Sequence, residues 1–203
     1  MSIIYVDGMD CAGKTAAIDI VAASVGAVRR HRVLSPNPFA LAFNLYKLKY
    51  EWDSDMVTNA LLRAIDYDIR HFCRYDENVI QESTLLVKGY AMRIVSGASG
   101  AVLSKFEGLL RDYPKFDKSF FLTTDYETRM ERIRKRISCS CTLTSNDRLI
   151  LDDYPRFEKI DSTMSSIMES AFQAQTVDTS RMSPQDVAAV INQFSSFNFE
   201  EVA

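Results

Sequence analysis

No apolar run in the 203-residue sequence approaches the length needed to cross a bilayer. Positive charge is not in excess either. Lys and Arg number 24 against 27 Asp and Glu, a net charge of −3, which gives no reason to expect a surface that coats nucleic acid. No leader of secretory type precedes the first apolar run, Ile3-Ile4-Tyr5-Val6, so a cytoplasmic protein is expected. Cysteine and histidine are too scattered for a zinc site. Cys139-Ser140-Cys141 has no second Cys or His pair nearby, because His31 and His71 are distant in sequence. Reduced thiols are expected. There is no internal repeat, no low-complexity segment and no linker. The length and the 47% hydrophobic content suit one domain, residues 1–203, with a sizeable core.

What the sequence does have is Gly8-Met9-Asp10-Cys11-Ala12-Gly13-Lys14-Thr15, which fits G-x-x-x-x-G-K-[ST], the phosphate-binding loop. A strand-type run precedes it. An Ala-rich stretch follows, with Ile18, Val21 and Ala22 at helical spacing. That context is what the chemistry requires. Gly8 and Gly13 let successive N–H groups face one anion, and the helix N-terminus adds its positive end. Lys14 can reach the β- and γ-phosphates of a nucleoside triphosphate, and the Thr15 hydroxyl can ligate Mg²⁺. Gly8, Asp10, Cys11, Ala12, Gly13, Lys14 and Thr15 are therefore the candidate nucleotide contacts. Cys11 sits where a helix N-terminus can lower a thiol pKa, so sensitivity to oxidation is expected there.

Along the chain, apolar periodicity and breakers predict alternating strands and helices. Strands are expected at 3–7, 28–34, 78–82, 118–122 and 176–179. Helices are expected from the loop to about residue 24, then at 39–49, 56–73, 84–95, 101–111, from Asp125 through Arg136, from 152 to about 172, and from Pro184 to Phe194. Residues 138–145 read as a mobile loop and 195–203 as a loose tail. Alternation implies an α/β/α fold of three layers with a five-stranded parallel sheet, and ligands bind beyond the carboxyl ends of its strands. The apolar stripe of the 56–73 helix reads as core, and the helix could also serve a homodimer.

Phosphoryl transfer needs positive charge, a metal and a carboxylate near the acceptor. Asp10 lies within the loop, and Glu82 ends the third strand. Either can act as general base, and Glu82 with Thr15 can hold Mg²⁺. Arg132, Arg134, Arg136 and Arg148 flank the 138–145 loop, an arrangement suited to a lid over phosphates, about 134–150. Phe39, Tyr67 and Phe72 are the aromatic candidates beside an acceptor.

The stretch Tyr5 through Thr15 resembles the opening of thymidylate kinases. So do, in order, 120–123, Glu131-Arg132-Ile133-Arg134-Lys135-Arg136, Asp147-Arg148 with Tyr154 and Phe157, and Val177-Asp178-Thr179-Ser180 followed by Pro184-Gln185-Asp186-Val187. The resemblance spans nearly the whole chain. It implies a P-loop kinase fold, with ATP and Mg²⁺ as cofactors. Asp10 would approach the acceptor, Arg134 and Arg148 would act from the lid, and Arg132 and Arg181 (or Met182) would lie near the nucleotide. Two family arginines that hold the acceptor's phosphate are missing. Leu34-Ser35-Pro36 stands where the family has Arg-Glu-Pro, and Glu82-Ser83 where it has Asp-Arg. Serine cannot replace a guanidinium fork on phosphate. Three readings follow. One is a kinase of a nucleotide-like monophosphate, with Arg29, Arg32, Arg63 or Arg70 supplying the missing charge. Another is a kinase of an uncharged hydroxyl, whether nucleoside, modified base or other alcohol. The third is a binding protein that keeps ATP but has lost transfer. The partner in each is a small molecule, not a membrane.

Overall fold

The computed structural model of the chain describes residues 2–74, 76–139 and 141–194. Five strands, β1 (Ile3–Asp7), β2 (Val28–Arg32), β3 (Val79–Thr84), β4 (Lys118–Thr123) and β5 (Gln175–Asp178), form one parallel sheet in the order β2-β3-β1-β4-β5. Nine helices among the described residues connect and cover them: α1 (Lys14–Val25), α2 (Pro38–Lys49), α3 (Asp55–Arg70), α4 (Leu85–Val95), α5 (Gly100–Asp112), α6 (Tyr126–Ser138), α7 (Ser145–Asp152), α8 (Tyr154–Phe172) and α9 (Pro184–Phe194).

The period-two alternation of the strands sorts the core into two layers. Ile4 and Val6 of β1, Ile80 of β3, and Phe120 and Leu122 of β4 pack with Ile18 and Val21 of α1 and Val187 and Ile191 of α9. Tyr5 and Phe121 point the other way, into a cluster built by α3, α4, α5 and α8. The strand order reverses about central β1, so its carboxyl end opens on the crevice between neighbouring connections. The phosphate loop sits there, flanked by the ends of β3 and β4.

Most predicted elements stand, with ends shifted by a few residues. Two differences have physical causes. The helix expected at 152–172 stands as α8, but a further helix that was not expected, α7, runs up to it and is separate from it. Pro155 has no N–H to donate to Leu151 and would clash with its carbonyl in a continuous helix. The chain breaks at Asp153, whose carboxylate caps α8 by accepting the Arg156 N–H at 3.2 Å. Second, β2 stops at Arg32, not at residue 34. A bulge falls between His31 and Arg32, and Arg32 takes φ +63°. The expected tail, 195–203, lies outside the described residues, as does Ser140 of the Cys-x-Cys stretch.

Candidate active site

Gly8 has φ +147°, and a Cβ there would lie 2.2 Å from the Leu122 carbonyl oxygen, so the loop can pass β4 only with glycine. Buried groups hold the rest of the loop in shape. Arg129, on α6, donates to the Asp10 carbonyl at 2.8 Å, to the Thr124 carbonyl at 3.0 Å and to Asp161 of α8 at 2.7 Å. Arg132 donates to the Cys11 carbonyl at 2.6 Å and to Thr179, whose hydroxyl in turn donates to the Ala12 carbonyl at 2.9 Å. Arg132, expected beside the nucleotide, thus braces the back of the loop. The Lys14 ammonium folds onto the Gly8 and Met9 carbonyls at 2.7 and 2.9 Å.

In front of the loop lies a cavity of about 810 Å³. Gly8, Asp10, Cys11, Gly13, Lys14 and Thr15 line one end, with Asp7 and Glu82. The wall toward α7 is Thr144, Asn146 and Leu149. Phe43, Lys47, Trp52, Leu61, Leu85 and Met92 group as the other end, and Arg32 and Lys88 also line the cavity, Lys88 within electrostatic reach of Asp10, Lys14 and Arg32, and Arg32 within reach of Lys47. Of the residues expected at the site, Arg134, Arg148 and Arg181 are exposed and do not line the cavity, and Ala12 is buried under the loop. Arg136 does line it, but its guanidinium is bound by both oxygens of buried Asp147 at 2.7 and 2.9 Å.

Three carboxylates reach the cavity, and each is already committed. Asp7 accepts the Tyr5 hydroxyl at 2.6 Å and the Gly8 N–H at 2.8 Å; burial raises its pKa, partly offset by Lys14 and these bonds. Asp10 accepts Asn146 at 2.7 Å and the Thr144 hydroxyl at 3.1 Å, which ties the α7 end to the phosphate loop. Burial alone would raise the Asp10 pKa, but Lys88, Lys14 and those donors hold it well below the usual carboxylate range. Glu82, 2% exposed, accepts the Thr15 hydroxyl at 2.9 Å and two bonds from the Arg29 guanidinium, one at 2.8 Å. A His31 ring nitrogen lies 3.4 Å away. Burial pushes Glu82 up, but these donors outweigh it and hold the pKa at about 2.

Cations of the cavity are the reverse case. Arg29, a candidate for the missing charge, is spent on Glu82 and on Asp19 at 2.6 Å, and Arg70 pairs with Asp66 at 3.0 Å on the surface. Arg63 is exposed and outside the cavity. Arg32, Lys47 and Lys88 line the cavity, and none has an ion pair among the described residues. Burial lowers the Lys88 pKa to about 8; Asp10 opposes the shift, while Lys14 and Arg32 add to it. Lys88 sits one helical turn past Thr84, at the start of α4. Its position just after a strand end was the available signal, though it read as a helix residue.

Two other expectations change. The Cys11 thiol is pushed up to about 11, chiefly by burial and despite Arg136, with Asp147 3.4 Å away, so it is not activated. The aromatics at the far end of the cavity are Phe43 and Trp52. Phe39 and Tyr67 pack on each other, centroids 5.5 Å apart, outside it.

Thr15 and Glu82 present hard oxygen donors side by side, 2.9 Å apart. That fits Mg²⁺, which takes one or two protein oxygens together with phosphate oxygens and waters. No cluster of three or more His, Cys, Asp or Glu suited to a metal occurs among the described residues.

Sheet order, phosphate loop and helical layers together define the P-loop kinase α/β/α fold. Solved structures with the same architecture include the deoxyadenosine kinase of M. mycoides with bound dATP, at 16% identity over 94% of this chain and 98% of that one, TM-score 0.63. YorR protein from Bacillus subtilis, in complex with phosphorylated GDP, matches at 15% identity over 95% and 94% of the two chains, TM-score 0.51. Shikimate kinase from Acinetobacter baumannii, in complex with shikimate, matches at 12% identity over 95% and 92%, TM-score 0.51. At these identities the likeness establishes the fold. No protein-family model matches the sequence, and no curated protein does. No helix among the described residues is long and apolar enough to cross a membrane.

Proposed function

We propose that the protein is an ATP-dependent phosphotransferase whose acceptor is a small molecule that already carries a phosphate, in the manner of a nucleoside monophosphate kinase. One observation carries the choice of acceptor. Every carboxylate facing the cavity is committed to internal partners, whereas Arg32 and Lys88 face it with no ion pair. A neutral hydroxyl needs a free base to take its proton as it attacks. Asp10 and Glu82, both held low by the charges and donors around them, are poor proton acceptors. A phosphate oxygen is anionic at neutral pH and needs no base, but it needs positive charge to approach the γ-phosphoryl group. Arg32 and Lys88 supply that charge.

Residue roles follow from this reading. The loop N–H groups and Lys14 hold the β- and γ-phosphates, and Lys14 leaves the Gly8 and Met9 carbonyls to do so. Thr15 and Glu82 would hold Mg²⁺, which when bound neutralises phosphate charge. Glu82 is a structural anion kept in place by Arg29. Asp10 fastens the Thr144–Asn146 segment over the cavity, and that segment with α7 forms the lid that excludes water. The likeness to deoxyadenosine and shikimate kinases keeps an uncharged alcohol as the competing acceptor. ADP release measured with Mg-ATP and paired panels of nucleosides and their monophosphates separates the two. Turnover of monophosphates supports this reading. Turnover of unphosphorylated alcohols alone overturns it, and tight ATP binding without turnover indicates a binding protein.

A further inference from the structure

On that reading Arg32 and Lys88 draw the accepting phosphate and Lys14 the nucleotide; of the other cations lining the cavity, Lys47 and Arg156 make no ion pair among the described residues, and Lys47 is set over aromatic rings. It stands on the last turn of α2, half-buried, over the rings of Phe43 and Trp52 at 5.6 and 5.8 Å, and lines the far end of the cavity. Burial first, then the Arg32 charge, lower its pKa. Lys47 and Lys88 belong to different ends: Lys88 feels Asp10, Lys14, Arg32 and Asp7, whereas Lys47 feels Arg32 alone. Arg32 is within reach of both, and it is placed there at a cost. It has φ +63° at the β2 bulge, where it pairs with Thr84, and Ser83, the β3 residue that the register skips, has φ +57°. Non-glycine residues hold such conformations where the surroundings enforce them, and bulges re-aim side chains at sites. A helix C-terminus favours a cation, but exposed Lys49 already provides one without burial. Two mutually repelling cations in one cavity, one of them half-buried, suit an anionic ligand better than an empty fold.

We propose that the far end of the cavity, between Lys47, Arg32 and the Trp52 and Phe43 rings, receives a second negative group on the acceptor. That group is a carboxylate or phosphate distinct from the phosphate that accepts transfer. This rests on the anionic-acceptor reading above.

The test compares matched acceptors with Mg-ATP and the full chain. Orotidine 5′-monophosphate is set against uridine 5′-monophosphate for a ring carboxylate, and adenosine 3′,5′-bisphosphate against adenosine 5′-monophosphate for a second phosphate. The expected result is a kcat/KM about tenfold or more higher for the doubly charged member of one pair. Lys47→Gln should collapse that ratio toward one, and Lys49→Gln should keep it. No preference in either pair, or a preference that survives Lys47→Gln, overturns the proposal while leaving the anionic-acceptor reading intact. Absence of turnover with every monophosphate overturns both. A second readout needs no activity: Lys47→Met without ligand should melt at the same temperature or higher. A clearly lower midpoint would make Lys47 a stabilising element and contradict a residue kept for binding.

Discussion

Lys14 and Arg29 illustrate how differently two cations near one loop act. On the proposed function Lys14→Ala removes the charge meant for the nucleotide phosphates and should lower kcat/KM for ATP about a hundredfold or more, read by steady-state ADP release. Arg29 never reaches the cavity; it holds Glu82, which holds the Thr15 hydroxyl. Arg29→Gln should raise the Mg²⁺ concentration for half-maximal rate and lower kcat, with little change in ATP KM at saturating Mg²⁺. An unchanged Mg²⁺ profile would show that the Arg29–Glu82 pair is only a strut between strands. Lys88 sets a pH dependence. In the unliganded protein its charge is lost as pH rises through about 8, so acceptor KM should climb above that pH. Lys88→Arg should move the limb beyond the measurable range, and Lys88→Gln should remove it at the cost of a high KM throughout. The stability effect has the opposite sense. The folded pKa lies below the ordinary lysine value of 10.5, so the unfolded chain binds more protons between about 8 and 10.5. The Lys88 contribution to stability therefore rises across that window and is least favourable below it.

At the scale of elements, the sequence carried the layers but not the contacts that shape the site. The phosphate loop, the strand–helix alternation and the five-stranded parallel sheet were legible because apolar period and glycine placement are local signals. Arg129 was not. In sequence it belongs to a run of charges on an amphipathic helix; in the fold it is 1% exposed and braces the loop from behind, with Phe157 under its guanidinium at 4.8 Å. Its partnership with Asp161 spans thirty-two positions, and no pattern marks it. Removing one partner of a buried pair leaves the other charge unpaired. Arg129→Ala should thus cost about 3–5 kcal/mol in denaturant unfolding, far more than Arg134→Ala on the same helix. Gly89 was equally silent. It faces α3, and a Cβ there would meet Leu61 Cδ2 at 2.7 Å. Gly89→Ala should push Leu61 into the cavity that it lines and destabilise the protein by about 1–3 kcal/mol. The missing acceptor arginines were legible as absences at Ser35 and Ser83. Of the two cations that the proposed function puts in their place, Arg32 was among the sequence candidates and Lys88 was not, because which side of α4 faces the cavity is set by tertiary packing.

For the whole molecule, the charge pattern and the net charge point in opposite directions. The chain carries −3 overall, yet its cavity presents Lys14, Arg32, Lys47 and Lys88 against three carboxylates, Asp7, Asp10 and Glu82, of which Glu82 is neutralised by Arg29. A cavity of this kind concentrates anions despite the net charge. Acceptor KM should therefore rise with ionic strength, as screening over about 8 Å at physiological salt takes effect, while kcat changes little. The central claim is that this P-loop kinase fold transfers phosphate onto phosphate. The most direct measurement supplies Mg-ATP with each nucleoside and its 5′-monophosphate in parallel and identifies the products. The account predicts diphosphate products from one or more monophosphates and none from the matching nucleosides. Monophosphate formed from an unphosphorylated alcohol, with the monophosphates inert, would contradict it.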